Sequence, residues 1–342
     1  MIQPTISVVI SAYTLDRWAD LVSAVASVHR QSCAPKEIIV VVDHNPALML
    51  RVQEHLTDVI AVENVEPRGL SGARNSGIRV AQGEVIAFLD DDAQAVENWL
   101  ELLCHGYADQ RVLGVGGAIE PNWVGQRPAW FPAEFDWVVG CTYRGMPEAQ
   151  EAVRNLIGCN MSFRREVFST VGGFRSGIGR VGTLPVGCDE TEVCIRVLQR
   201  WPESIMLYEP RARVRHRVPE SRASWSYFRS RCYAEGISKA LVTRFVGAQD
   251  GLASERDYTM RTLPRGVASG VADLAVRRDL AGLARSGAIT LGLCMTVAGY
   301  LAGRNPFGRH RRSGTGAWQL TTFASSPMTV IGIDAEKGQP AQ

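Results

Sequence analysis

The sequence predicts an α/β protein, a mixed, mostly parallel sheet with helices on both faces, followed by a helical region. Three observations predict it. Short apolar runs rich in β-branched residues alternate with stretches of helical spacing over residues 6–92. These runs are apolar throughout, the pattern of strands covered on both faces. Three of them end in Tyr13, Asp43 and Asp90-Asp91-Asp92, and sheets of this kind gather ligands at the C-terminal ends of their strands.

Taken in order, Ile6–Tyr13 is a buried strand and Asp16–His29 a helix with Trp18, Leu21, Val22, Val25 and Val28 at helical spacing. Glu37–Val42 is the second strand, Leu48–Leu56 a helix and Val59–Val62 the third strand. Gly69–Val80 starts as a glycine-rich turn and continues as a helix, and Glu84–Leu89 is the fourth strand. The later chain is less regular. Pro121–Pro147 is a long loop holding Trp123, Trp130, Phe131, Phe135, Trp137 and Tyr143, too aromatic for disorder and so expected to be functional. Cys188–Leu198 reads as a helix with acidic residues in its first turn, where the dipole favours them. Ala223–Val246 and Tyr258–Gly303 read as helices, and the polar, glycine-rich end as a flexible tail. The expected organisation is a domain over 1–220, a helical region over 221–305 and a tail over 306–342.

Bulk properties exclude several classes. A net charge of +2 gives no global field for nucleic acid. The eight cysteines form no CxxC pair, and a chain of 342 residues needs no disulfide staple, so free thiols in a reducing cytoplasm are expected. The start, Met-Ile-Gln-Pro, has neither the basic nor the apolar segment of a secretory signal.

The acidic triplet carries the chemistry. In an extended segment Asp90 and Asp92 point to the same side, which suits a hard divalent cation that also takes phosphate oxygens. The alternative is a solvated acidic turn or a helix N-cap. Upstream, Arg68-Gly-Leu-Ser-Gly-Ala-Arg-Asn-Ser-Gly77 sets two arginines and an asparagine on a turn into a helix, which suits a diphosphate or a base edge. Asp43 can accept from a pyrimidine N–H and Tyr13 can stack on a base, although each alone is an ordinary strand-end residue.

These segments, in this order, resemble the nucleotide half of the family-2 glycosyltransferases. The likeness continues through Gly158-Cys-Asn-Met-Ser-Phe-Arg-Arg165 with Val171-Gly-Gly-Phe174, Cys188-Asp-Glu-Thr-Glu-Val-Cys-Ile-Arg196 and Pro210-Arg-Ala-Arg-Val-Arg-His216, covering about residues 5 to 240. Trp130–Tyr143 and Arg215–Ala240 further resemble a subgroup that includes glucosyl-dolichyl-phosphate glucuronosyltransferases and bacterial relatives. The resemblance implies a GT-A fold and inverting transfer of a hexose-type sugar from a nucleotide-diphosphate sugar, expected to be a UDP-sugar, to a glycan or lipid-linked acceptor. It implies Mg²⁺ or Mn²⁺ on a DxD motif, with Asp92 as chief ligand and Asp90 and His216 assisting. Ser11, Tyr13, Asp43, Arg68, Gly69, Arg74, Asn75, Asp90 and Asp91 are then expected at the nucleotide sugar, and Trp130, Trp137 and Asn160 on the acceptor side. The family's Glu-Asp order appears here as Asp189-Glu190, so Glu190 takes the position of the catalytic base and Asp189 is second choice, otherwise free to cap its helix. Glu192 is expected to pair with an arginine.

Three decoys are weighed beside this. Gly177-Ile-Gly-Arg-Val-Gly182 satisfies GxGxxG but follows no strand, so it reads as a loop near the acceptor site. Asn160-Met-Ser162 fits a glycosylation sequon but lies in a core-like segment. His216 is otherwise a packed histidine. Finally, Ser286–Gly303 holds no charge for eighteen positions, and the segment before it carries Arg265, Arg277 and Arg278. A packing helix, an interfacial helix and a membrane span all stay open, with a cytoplasmic protein peripheral on the inner membrane face as one outcome. The rival functions are a nucleotidyltransferase, which would carry a glycine-rich basic loop after strand one, and a dead glycan-binding protein.

Overall fold

The computed structural model describes residues 3–180, 187–247 and 256–304. Its sheet has the order β3-β2-β1-β4-β8-β6-β9-β5, with β7 paired to β9. The first four strands are β1 (Ile6–Ala12), β2 (Glu37–Val42), β3 (Ile60–Glu63) and β4 (Val85–Asp90), and their ladders are all parallel. The connecting helices are α1 (Trp18–His29), α2 (Pro46–His55) and α3 (Leu70–Val80). Along β1, Val8 and Ile10 face one core while Val9 faces the other, so each side chain is buried whichever way it points. Such a strand needs apolar residues at every position, which is why its run is continuous.

The second part of the sheet supplies the antiparallel pairs that make it mixed. The strands are β5 (Ala93–Ala95), β6 (Val112–Trp123), β7 (Glu151–Val153), β8 (Asn160–Arg164) and β9 (Ile205–Val218), with helices α4 (Trp99–Gly106), α5 (Arg165–Val171) and α6 (Asp189–Arg200). β6 and β9 run parallel, while β8, β5 and β7 pair antiparallel to their neighbours. Strand β6 therefore takes the start of the aromatic loop, whose middle is a 3₁₀ segment over Ala133–Val139. The long β9 brings His216 opposite Ala93, directly behind the acidic triplet.

Three helices follow: α7 (Trp225–Val246), α8 (Leu263–Arg277) and α9 (Leu280–Arg304). The expected single run from Tyr258 is broken where Arg278 turns left-handed at φ 54°. Helix α9 buries Gly282, Ser286, Ala288, Ile289, Gly292 and Gly299 and exposes Leu280, Leu283, Val297 and Leu301. Its glycines are contact points. A Cβ at Gly299 would lie 2.0 Å from the Tyr233 carbonyl, and one at Gly236 of α7 would lie 2.0 Å from the Thr296 carbonyl, so the two backbones touch. The expected tail over 306–342 lies outside the described residues.

Candidate active site

Two hollows meet at the strand ends. The smaller, of about 80 Å³, is a cleft over the C-terminal ends of β1, β2 and β4, lined by Ser11, Tyr13, Asp43 and the acidic triplet with Arg17, Arg180 and Arg222. The larger, of about 390 Å³, runs beneath α9 and the 3₁₀ segment, within the range of roughly 300–1,000 Å³ for small-molecule sites. Leu70, Asp90, Arg180 and His216 border both.

The triplet is arranged unequally. The Asp90 side chain is 29% exposed and that of Asp92 5%, so Asp90 is the carboxylate open to a ligand. Asp92 is held by His216 Nε2 at 3.2 Å, Arg17 Nη1 at 3.1 Å and Arg222 Nη2 at 3.8 Å. Burial works against its charge, but His216, Arg17 and Arg222 overcome that and keep the carboxyl below the usual carboxylate range. Asp91 bridges Arg17 at 2.8 Å, yet burial, reinforced by Asp92, pushes it up to about 7. Asp91 Oδ2 and Arg222 Nη1 are buried without a hydrogen-bond partner. Among the described residues these atoms have no partner, and a water, ligand or ion could satisfy them. Asp90, Cys159 and His216 offer ligand atoms all within 4.8 Å of one another, so the donors present fit a divalent cation.

At the base of the cleft, Asp43 accepts from Gly69 N–H at 3.0 Å and Asn64 Nδ2 at 2.6 Å, and contacts His44 Nδ1 at 2.9 Å. A carboxylate has about four acceptor positions; these described partners take three, and Asp43 also lines the cleft. Gly69 reaches Asp43 at φ 128°, a conformation that excludes a side chain. Tyr13 is 39% exposed on the rim.

On the other side, α6 starts after Cys188, held left-handed at φ 72°. Asp189 is buried and accepts from Arg74 Nη1 at 2.9 Å and Ser71 Oγ at 3.2 Å. Its neighbour Glu190 is half-buried and lines the larger hollow. Burial, then the adjacent Asp189 carboxylate, raises the Glu190 carboxyl well above its usual value. Phe135, Trp137, Leu293, Val297 and Tyr300 supply an apolar part of the wall, and Arg154, Arg231, Glu235 and Lys239 a charged part.

Several expected residues are placed elsewhere. Asn160 is fully buried, accepting from Trp99 Nε1 at 2.7 Å and donating to the Ala118 and Ala212 carbonyls, so it joins strands and serves neither an acceptor nor a sequon. Asn75 is tied to both backbone groups of Phe174 at 2.8 Å. Trp130 stacks on Trp225 at 3.8 Å and is not among the cavity-lining residues, whereas Trp137 is. Arg68 is exposed and donates to the His44 carbonyl. Arg74 donates to Asp189 and the Gly158 carbonyl, 3.5 Å from Asp90, so it links the acidic groups of the two hollows and does not reach out for a diphosphate. Asp189 does not cap its helix, because its oxygens are turned to Arg74 and Ser71. Glu192 does pair with arginines, Arg175 and Arg196. Of the GxGxxG run, 181–182 lie outside the described residues, while Ile178 and Arg180 are fixed by Ser71 Oγ and Leu70 N–H. Sequence reading missed Arg17, Arg180 and Arg222, since each acquires meaning only when the fold closes it on the triplet.

Comparison with known proteins agrees with this geometry. Residues 7–172 match the family described as Glycosyl transferase family 2. A protein of Haloferax volcanii called glucosyl-dolichyl phosphate glucuronosyltransferase is 38% identical over 241 residues, 69% of this chain and 77% of that protein. A Caenorhabditis elegans protein called probable N-acetylgalactosaminyltransferase 9 is 27% identical over 194 residues, 50% of this chain and 33% of that one. Among solved structures, a mannosyltransferase of Pyrobaculum calidifontis, in complex with GDP-Man and Mn²⁺, superposes with a TM-score of 0.57 at 18% identity, covering 89% of this chain and 88% of that one. A glycosyltransferase with a GT-A fold, the chain belongs to glycosyltransferase family 2, in the subgroup that includes the Haloferax enzyme.

Proposed function

We propose that the protein transfers a hexose-type sugar from a UDP-sugar to a hydroxyl of a lipid-linked acceptor, with inversion and with a divalent cation, Mg²⁺ or Mn²⁺. The observation that carries this reading is the meeting of a polar cleft and a larger hollow with a mostly apolar wall at Asp90, Arg180 and His216. A donor in the cleft presents its diphosphate to the triplet and its sugar toward the larger hollow. Asp43, which lines the cleft, suits the N–H of a uracil ring. Asp90, His216 and Asp92 would hold the cation, which supplies charge neutralisation for the leaving diphosphate. Arg222, with an unpartnered nitrogen, is placed to donate to a phosphate oxygen.

The acceptor enters from the other side. Glu190 takes the proton of the attacking hydroxyl as the oxygen approaches the anomeric carbon opposite the diphosphate. Its raised affinity for a proton makes it a stronger base once ionised. Asp189 holds Arg74 and does not compete for the hydroxyl.

For the acceptor, the Haloferax relative's name supports a lipid-linked sugar. The α8–α9 surface supports peripheral membrane contact of the 221–305 region on the cytoplasmic face. Helix α9 has 28% of its apolar window buried, and Val276 and Leu280 are 81% and 75% exposed beside Arg277 and Arg278. Sedimentation with anionic liposomes checks this, and a protein that stays in the supernatant at low salt contradicts it. The donor reading is tested by calorimetry with UDP-glucose, UDP-glucuronate and GDP-mannose, with Mn²⁺ and with EDTA. A UDP-sugar bound more tightly with Mn²⁺ is expected. Preference for GDP-mannose, or equal affinity in EDTA, contradicts it.

A further inference from the structure

We propose that Cys159 turns the cation site into a mixed oxygen, nitrogen and sulfur site that also takes a thiophilic divalent cation, Zn²⁺ or Cd²⁺, in competition with Mg²⁺ and Mn²⁺. The argument rests on position. Cys159 immediately precedes β8, and the pairing of Leu89 with Asn160 sets it beside Asp90 at the end of β4. His216 arrives from β9, opposite Ala93. The ends of β4 and β9, with the residue that precedes β8, therefore deliver a carboxylate, an imidazole and a thiol whose ligand atoms all lie within 4.8 Å. Donors fixed on strands are held more tightly than donors on loops. All three residues border the larger hollow, so an ion has a path to them.

The donor set decides the preference. Mg²⁺ asks for near-octahedral oxygen ligands and sheds its waters reluctantly. Imidazole suits zinc and thiolate binds it strongly, and sulfur, nitrogen and oxygen donors around one small ion match tetrahedral zinc geometry. On binding, a sulfur–metal bond forms and the thiol proton leaves to solvent, with no change of oxidation state. The ion that binds this way occupies Asp90 and His216, which the donor's own cation needs. Cys141 lies on the far side of the imidazole, 3.7 Å from His216 Nδ1, and is a built-in control. It is as buried as Cys159 and touches the same histidine, but lies outside the cluster.

This inference rests on Asp90 and His216 forming the donor's cation site. It is tested with the full-length protein and Cd²⁺ alone, following the ultraviolet sulfur-to-cadmium charge-transfer band. The band is expected in the intact protein and in Cys141→Ser, and is expected to be lost in Cys159→Ser and Cys159→Ala, with melting temperatures showing that each variant is folded. An unchanged band in folded Cys159→Ser overturns the inference. Manganese binding and Mn²⁺-dependent UDP binding are measured on the same proteins. Mn²⁺-dependent UDP binding without a Cys159-dependent band removes the inference and leaves the donor reading intact. A Cys159-dependent band in a protein whose UDP binding ignores Mn²⁺ supports the sulfur site and removes the donor reading.

Discussion

The small cleft at the strand ends and the larger hollow beneath α9 are built differently. In the cleft, charges are already matched: Asp92 is ringed by His216, Arg17 and Arg222, and Asp43 by Gly69, Asn64 and His44. Little has to reorganise when a charged ligand arrives, the condition under which fixed dipoles and charges stabilise best. In the larger hollow, Glu190 stands against Asp189 in a mostly apolar wall that also holds Arg154, Arg231, Glu235 and Lys239, and burial, then Asp189, raises its proton affinity. Asp92 on one side is held charged, and Glu190 on the other is poised to take a proton. Arg74 joins them, bonded to Asp189 and within 3.5 Å of Asp90.

That comparison can be broken at the joint. Asp189→Asn removes the carboxylate from a pair whose two side chains are each 3% exposed. Losing one partner of a buried ion pair typically costs about 3–5 kcal/mol. Chemical denaturation should show a loss of that order, and a change under about 1 kcal/mol would mean that Arg74 finds another anion and the joint is not structural.

The wall of the larger hollow offers a smaller test. Gly236→Ala puts a methyl group 2.0 Å from the Thr296 carbonyl, and overpacking of this kind costs roughly 1–3 kcal/mol. The melting temperature should fall, and activity toward a lipid-linked acceptor should fall more than donor binding, because α9 lines only the larger hollow. Equal losses in both would show that the two hollows are not energetically separate.

The smallest effect concerns pH. The Glu190 carboxyl has its ordinary value of 4.5 in the unfolded chain and is raised well above it in the fold. Below that value both states are protonated and the group adds nothing. As pH rises past it, the unfolded chain ionises while the folded one resists, so stability is lost until the folded group ionises as well. Glu190→Gln should therefore melt higher than the intact protein near neutral pH, with the gain vanishing at about pH 4. A gain independent of pH would assign it to another cause. Turnover of the intact protein should rise with pH as Glu190 ionises.

Legibility in the sequence follows the same division. Strands β1, β2 and β4 were readable because burial on both faces forces an apolar run, and their ends marked Tyr13, Asp43 and the triplet. The family order of motifs singled out Glu190 and His216, which the fold brings to the wall of the larger hollow beside neighbours that no local spacing reveals. Asn160, Asn75 and Trp130 were misassigned for one reason. A polar or aromatic side chain that pins a core looks, in one dimension, like one that meets a ligand, and only the distant partners Trp99, Phe174 and Trp225 distinguish them. Arg17, Arg180 and Arg222 were invisible for the converse reason, since their anionic partners lie far along the chain.

The central claim is that Glu190 takes the acceptor's proton while the donor side binds independently of it. Single-turnover transfer from the preferred UDP-sugar to a polyprenyl-phosphate-linked hexose, beside donor affinity by calorimetry, tests it in Glu190→Gln. The account predicts unchanged donor affinity and a rate lower by about 10²–10⁴-fold. Retained transfer in Glu190→Gln, with transfer abolished in a folded Asp189→Asn, would contradict it and give the base to Asp189.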